Sequence, residues 1–166
     1  MRIALYNQMF ALNGKSLVSS LAGHWAVHYQ KNEKRIWKRT DLKRTTDIIK
    51  ESRADIVGIT EILEGQKKGL KEGLGKIGYK YVFFGKGHRT KFRKLHIQVA
   101  IASKIQCGQI KTEGFPVENK MGGGGGIIHC YLPSLKTDII NVHLACIKRI
   151  IIKRQIKFLK NYIKGK

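Results

Sequence analysis

A chain of 166 residues suits a single domain, and with 42% of its residues hydrophobic it can bury a core, which excludes global disorder. Lys and Arg number 33 against 11 Asp and Glu, a formal charge of +22, and an excess of that size points to polyanions as partners. A lysine-rich genome would leave the same mark, since isoleucine is also plentiful, so charge alone does not choose between the two. Three cysteines, Cys107, Cys130 and Cys146, form no CxxC pair, which argues against a disulfide framework or a zinc site. Cys130 and Cys146 sit in apolar surroundings and read as small core residues. No run reaches membrane-spanning length, and Met1 to Tyr6 is too short for the apolar part of a signal peptide, so a cytoplasmic location is expected.

In chain order, Ile3 to Tyr6 read as a first strand that ends at Asn7, an amide able to meet a ligand or simply to make a turn. From about Gln8 to Thr40 there is no clear period. This stretch holds Trp25 and Trp37, and a basic cluster of Lys31, Lys34, Arg35, Lys38 and Arg39. Aromatics interleaved with cations suit nucleic-acid contact by stacking and phosphate pairing, and they equally suit a solvated loop anchored by two tryptophans. His24 and His28 are four apart without the Glu of a zinc-protease helix, and read as surface residues.

Leu42, Thr45, Ile48 and Ile49 mark one helical face, with Asp41 as its N-cap. Ala54 to Glu61 then holds four consecutive residues without a polar side chain, Ile56 to Ile59, and predicts a strand buried on both faces. Glu61 stands at its C-terminal end, where α/β proteins collect ligands, although a Glu there can also open the next helix. Leu63, Leu70, Leu74 and Ile77 predict that helix, closed by Gly78. Tyr79 to Phe84 follow as a strand. Gly85 to Lys94 form a dense positive loop with Lys86, His88, Arg89, Lys91, Arg93 and Lys94, which suits a phosphate backbone or a solvated hairpin tip. Strands are predicted over Leu95 to Ser103, Ile127 to Leu132 and Asp138 to Leu144, the last carrying His143. A lone strand histidine is more often a core residue than a ligand. The Gly122 to Gly126 run lacks the Gly-Lys-Ser/Thr of a phosphate loop, as does Asn13-Gly14-Lys15-Ser16, and both read as flexible connections. Ile152, Ile156, Leu159 and Ile163 predict the apolar face of a last helix.

In this order the segments resemble the endonuclease/exonuclease/phosphatase superfamily, whose domain is DNase I-like. Ile3-Ala4-Leu5-Tyr6-Asn7 resembles its opening strand. Ala54-Asp55-Ile56-Val57-Gly58-Ile59-Thr60-Glu61 resembles its second motif, with Thr60 where Gln is usual. Val99 to Ser103 resemble a third strand, and Asn141-Val142-His143-Leu144 resemble the Asn-Thr-His-Leu motif. Arg154, Gln155 and Leu159 match the following helix only loosely. The fold implied is an α/β (α+β) four-layer sandwich, residues 1–166 forming one domain that is C-terminally incomplete and supplies mainly the first β-sheet with its helices.

The resemblance implies metal-dependent hydrolysis of phosphodiester bonds. Glu61 would bind Mg²⁺ (or Mn²⁺), Asn7 would help position the metal-bound phosphate, and His143 would donate to the scissile phosphate. The positive charge tilts the expected substrate towards nucleic acid, with Lys34, Arg35, Lys38, Arg39, Lys86, Arg89, Lys91, Arg93 and Lys94 as binding candidates. Two family motifs, Gly-Asp-x-Asn and Ser-Asp-His, do not occur in the sequence. The chain alone is therefore expected to be nearly inactive, since catalytic groups acting as a unit fail together. The alternative is a basic nucleic-acid-binding module without chemistry. An open sheet face would call for a second chain or self-association.

Overall fold

The computed structural model describes residues 1–8, 40–89, 96–115, 123–145 and 149–165. The first strand, β1 (Ile3–Asn7), runs parallel to β2 (Ile56–Leu63), with Ile3 opposite Ile56 and Asn7 opposite Thr60. Between them in sequence lies helix α1 (Leu42–Glu51), capped as its sequence predicts: Arg44 N donates to Asp41 Oδ1 at 2.9 Å. Its buried residues are Thr45, Thr46 and Ile49, while Ile48 turns outward at the edge of the expected face. After β2 come a 3₁₀ turn (Glu64–Gln66) and helix α2 (Lys67–Lys76), which buries Leu70 and Leu74. Leu63 belongs to the strand rather than to the helix face expected for it. Gly78 leaves α2 at φ 96°, a conformation that favours glycine.

Three further strands complete the first sheet: β3 (Tyr81–Phe84), β4 (His88–Arg89) and β5 (His96–Ser103). The order is β1-β2-β5-β3, with β4 also on β5 and all pairs after β1 antiparallel. A second, antiparallel sheet follows in the order β6-β7-β8, from β6 (Ile110–Glu113), β7 (Gly123–Leu132) and β8 (Thr137–Ala145). Helix α3 (Arg149–Lys164) closes the described chain.

The alternation of side chains assigns the layers. On the outer face of the first sheet, Val57, Ile59, Ala100 and Ala102 pack under Ile49, Leu70 and Leu74 of the two helices. On its inner face, Ile56, Val99 and Ile101 meet Ile128, Cys130 and Leu132 of the second sheet. Cys130 is a core residue, as its surroundings predict, and burial pushes its thiol pKa up. Helix α3 covers the far side of the second sheet. Phe158 stands edge-on to Phe115, and Tyr162 meets His129, whose other ring nitrogen is engaged by Asp138. The result is the expected four-layer α/β arrangement.

The described residues also differ from expectation elsewhere. The inner face of the first sheet is covered over β2 and β5 by the second sheet. It lies bare along β1, where Ile3 and Leu5 are 52% and 79% exposed. The glycines from Gly123 to Gly126 are not a flexible connection but the start of β7. On α3 the buried position is Gln155, with Ile151, Ile152, Phe158, Leu159 and Tyr162 half-buried, whereas Ile156 and Ile163 are exposed. The lipid-sized run that a membrane span needs is absent: among the described residues no helix is long and apolar enough to cross. Trp25, Trp37, His24, His28, Cys146 and the Asn13–Ser16 run lie outside the described residues.

Gly58 is a tight point between the layers. A Cβ there would stand 2.7 Å from Leu5 Cδ2 and 2.9 Å from Asn141 Cγ. Leu5 can swing away, but Asn141 is held by two hydrogen bonds. Gly58→Ala is therefore expected to cost about 1–3 kcal/mol by overpacking. Gly75→Ala, in α2 with nothing within 4 Å of the new atom, should stabilise by up to about 1 kcal/mol. Urea denaturation of the two variants checks the contrast; equal effects would contradict the packing described.

Candidate functional site

Strand β2 is broken near its C-terminal end. Its pairing with β5 runs in step to Ile59 opposite Ala100 and resumes at Ile62 opposite Gln98, so Thr60 and Glu61 face the single residue Val99. This is a β-bulge, a device that bends a strand and re-aims a side chain. Glu61 takes the left-handed conformation, φ 59°, which costs a residue with a Cβ about 1–2 kcal/mol. Such strain persists only where neighbours fix the backbone. Here Gln8 and Gln66 do so. Gln8 N donates to Thr60 O at 3.3 Å, and Gln8 Nε2 donates to Gln66 Oε1 at 2.7 Å and to Glu61 O at 3.4 Å. Gln66 Oε1 also accepts from Leu63 N at 3.0 Å. Both glutamines are buried.

The second sheet is pinned to the same bulge. Asn141, 4% exposed, donates through Nδ2 to Ile59 O at 3.1 Å and to Ala100 O at 2.8 Å, the two residues paired just before the ladder breaks. Two residues on, and so on the same face of β8, His143 reaches the bulge. Its Nε2 lies 3.4 Å from Glu61 Oε1, with side chains 16% and 14% exposed. Opposite His143 on β7 is Gly126, at φ 137°. A Cβ there would meet Lys86 O at 2.5 Å and Glu113 O at 2.8 Å, so only glycine admits this approach of three backbone segments.

Of the three candidate residues, then, Glu61 and His143 are in contact. Asn7 ends β1 opposite Thr60, on the same rim. Buried polar atoms gather there too. Gln8 Oε1, Gln98 Oε1 and His143 Nδ1 have no hydrogen-bond partner among the described residues. A rim that leaves acceptors and an imidazole nitrogen unfilled can take a polar ligand or an ordered water. Among the described residues no three His, Cys, Asp or Glu side chains are grouped as a metal cage. A hard cation that keeps several waters needs only one or two protein carboxylates beside a phosphate, and the half-sunken Glu61 carboxylate fits that minimum.

Lys86 is exposed beside the rim, and the backbone of Arg89 lies in β4. Lys34, Arg35, Lys38, Arg39, Lys91, Arg93 and Lys94 lie outside the described residues. Sequence reasoning missed Gln8, Gln66 and Gly126 altogether. It quoted Asn141 only as a motif letter. The one signal within reach was Gln8 directly after a strand-ending Asn7, since two amides at a rim exceed what a turn needs.

No family model matches the sequence, and no curated protein does. Solved structures do. The chain is similar to an endonuclease/exonuclease/phosphatase from Beutenbergia cavernae DSM 12333, with a TM-score of 0.64 and 16% identity over 95% of this chain and 42% of that one. An endonuclease/exonuclease/phosphatase family protein from Leptotrichia buccalis C-1013-b gives 0.57 and 16% over 82% and 60%. Truncated Caenorhabditis elegans TDP2 gives 0.57 and 15% over 75% and 47%. The chain has the DNase I-like α/β fold of these proteins and spans 42–60% of their lengths.

The left-handed bulge makes a prediction about Glu61. Both Glu61→Gly and Glu61→Ala remove the carboxylate, but only alanine keeps the strain. The glycine variant should be the more stable of the two by about 1 kcal/mol in urea denaturation. An alanine variant equal to it or better would show that the bulge is not strained.

Proposed function

We propose that this chain is part of a metal-dependent phosphoesterase of the endonuclease/exonuclease/phosphatase family, acting on phosphodiester bonds in nucleic acid. The observation that carries the reading is the meeting of Glu61 and His143, 82 residues apart, over a strained bulge whose only evident use is to aim the acid at the rim. The formal charge of +22 supports a polyanionic substrate.

Glu61 and Asn7 would hold Mg²⁺ or Mn²⁺, which when bound neutralises phosphate oxygens and supports the leaving oxygen. His143, whose Nε2 lies 3.4 Å from Glu61 Oε1, would donate a hydrogen bond to a phosphate oxygen held beside that carboxylate. Gln8 and Gln66 position Glu61 through its backbone. Turnover also needs a group to orient the attacking water. In the family this belongs to motifs that the sequence does not contain, so the chain by itself should bind metal and phosphate but cleave slowly. The exposed Ile3 and Leu5 on the inner face support a partner there, a second chain or a second copy of this one. A second reading, binding without chemistry, is favoured by the thinness of the donor set among the described residues.

Mn²⁺ titration by calorimetry separates these readings. Under the first, the metal binds and Glu61→Gln weakens it on the order of tenfold or more, the scale on which even outer-shell metal partners act. Metal binding that is absent, or indifferent to Glu61, would leave only the second reading. Robust cleavage of a labelled oligonucleotide with Mg²⁺, abolished by Glu61→Ala, would contradict the need for further motifs.

A further inference from the structure

Helix α3 carries six basic residues and no acidic one over its 16 residues. At 100° per residue, Arg149, Lys153, Lys157, Lys160 and Lys164 fall within an arc of about 80°, with Arg154 about 60° beyond it. All six are exposed, and among the described residues none is within ion-pair distance of a carboxylate. The other two α-helices among the described residues are different. On α1, Lys43 pairs with Asp47 at 3.2 Å and Glu51 is near the end; beside α2, Lys67 pairs with Glu64 at 3.8 Å and Glu72 lies within the helix. Beneath α3, Asp138 is engaged by His129. Among the described helices, α3 is therefore the one whose basic field is least cancelled by its own residues.

The stripe also has a direction. Tyr162, near the helix end, touches His129, whose partner Asp138 is near the start of β8. His143 is near the end of β8, and α3 begins at Arg149 just after it. The helix thus returns antiparallel to β8, and its basic stripe starts at the end of β8 that carries His143 and runs about 22 Å away across the outer layer. Neighbouring cations stand one helical turn apart, about 5–6 Å.

We infer that the basic face of α3 is a binding track for a nucleic-acid backbone, leading the strand to or from the Glu61–His143 rim. A membrane surface fits less well. An interfacial helix must offer a broad apolar face to lipid, and here Phe158 and Tyr162 are engaged by Phe115 and His129, which leaves Ile150, Ile156 and Ile163 as the exposed apolar residues of the helix. The inference rests on the nucleic-acid part of the proposed function and needs no catalysis, so its test is run in EDTA.

Fluorescence anisotropy with a labelled single-stranded oligonucleotide, over a salt series, compares three proteins. These are the unaltered chain, a triple variant on α3 (Lys153→Gln, Lys157→Gln, Lys160→Gln) and a control triple on α2 (Lys67→Gln, Lys68→Gln, Lys71→Gln). Gln keeps the helix propensity of Lys, so both should fold. Each phosphate contact contributes about 0.7 to the slope of log affinity against log salt for a single strand. The α3 triple should lower that slope by about 2 and weaken binding at low salt at least tenfold, while the control changes both much less. Equal losses in the two triples would mean diffuse attraction without a track, and an unaltered slope in the α3 triple would mean no contact; either overturns the inference. Binding to phosphatidylserine vesicles that depends on α3, with oligonucleotide binding that does not, would overturn it in favour of lipid. Because no metal is present, a failure of the phosphoesterase reading in the calorimetry leaves this result standing, and the reverse also holds.

Discussion

The side-chain amide of Asn141 joins the two sheets at one point, and the site is built around that point. It spans from β8 to carbonyls on both β2 and β5, beside an apolar cluster shared by the two sheets. Apolar packing is non-directional and would tolerate β8 sliding over the first sheet by part of a residue. Two buried hydrogen bonds would not. Each adds only about 1 kcal/mol net, but losing the donor would leave two buried carbonyls unsatisfied at roughly 1–3 kcal/mol each. The penalty for misregister is thus larger than the gain from register, and this asymmetry fixes where His143 lands.

The bulge answers the complementary problem of where Glu61 points. A regular β2 would alternate its side chains between the two packed layers, both of which are apolar. An acid placed there would face burial without a partner, which is costly. The extra residue and the left-handed turn carry it sideways to the rim instead. Gln8 and Gln66 hold the distortion by hydrogen bonds to the strand's backbone and to each other. Gly58 and Gly126 matter for the same reason: each marks a place where another segment must come closer than a Cβ allows. Strain, polar bracing and glycine contacts are concentrated around one end of the two sheets.

Much of this was legible in the chain itself. The run Ile56 to Ile59 identifies a strand buried on both faces because nothing polar interrupts it, and Asp41 announces the start of α1 by the chemistry of its side chain. The order of strands with Asn7, Glu61 and His143 sufficed to indicate the fold. Other features had no local signature. A bulge depends on the count of residues in two paired strands, and the partner of β2 lies some forty residues on, so Glu61 looked like a strand end when it lies within the strand. Gln155 was hidden for a similar reason: a polar residue at the buried face of α3 breaks the apolar period, which misplaced the face by about one position towards Ile156. The glycines of β7 read as a connection because close approach of Lys86 and Glu113 is a tertiary fact.

The central claim is that β8 is held so that His143 and Glu61 share one ligand. Paramagnetic broadening by Mn²⁺ tests it at low metal-to-protein ratio, read on the assigned imidazole proton signals of His143. The account predicts that these signals broaden strongly in the unaltered protein and stay sharp in Glu61→Gln at the same metal concentration. Signals that stay sharp in the unaltered protein, or that broaden equally without the carboxylate, would contradict it.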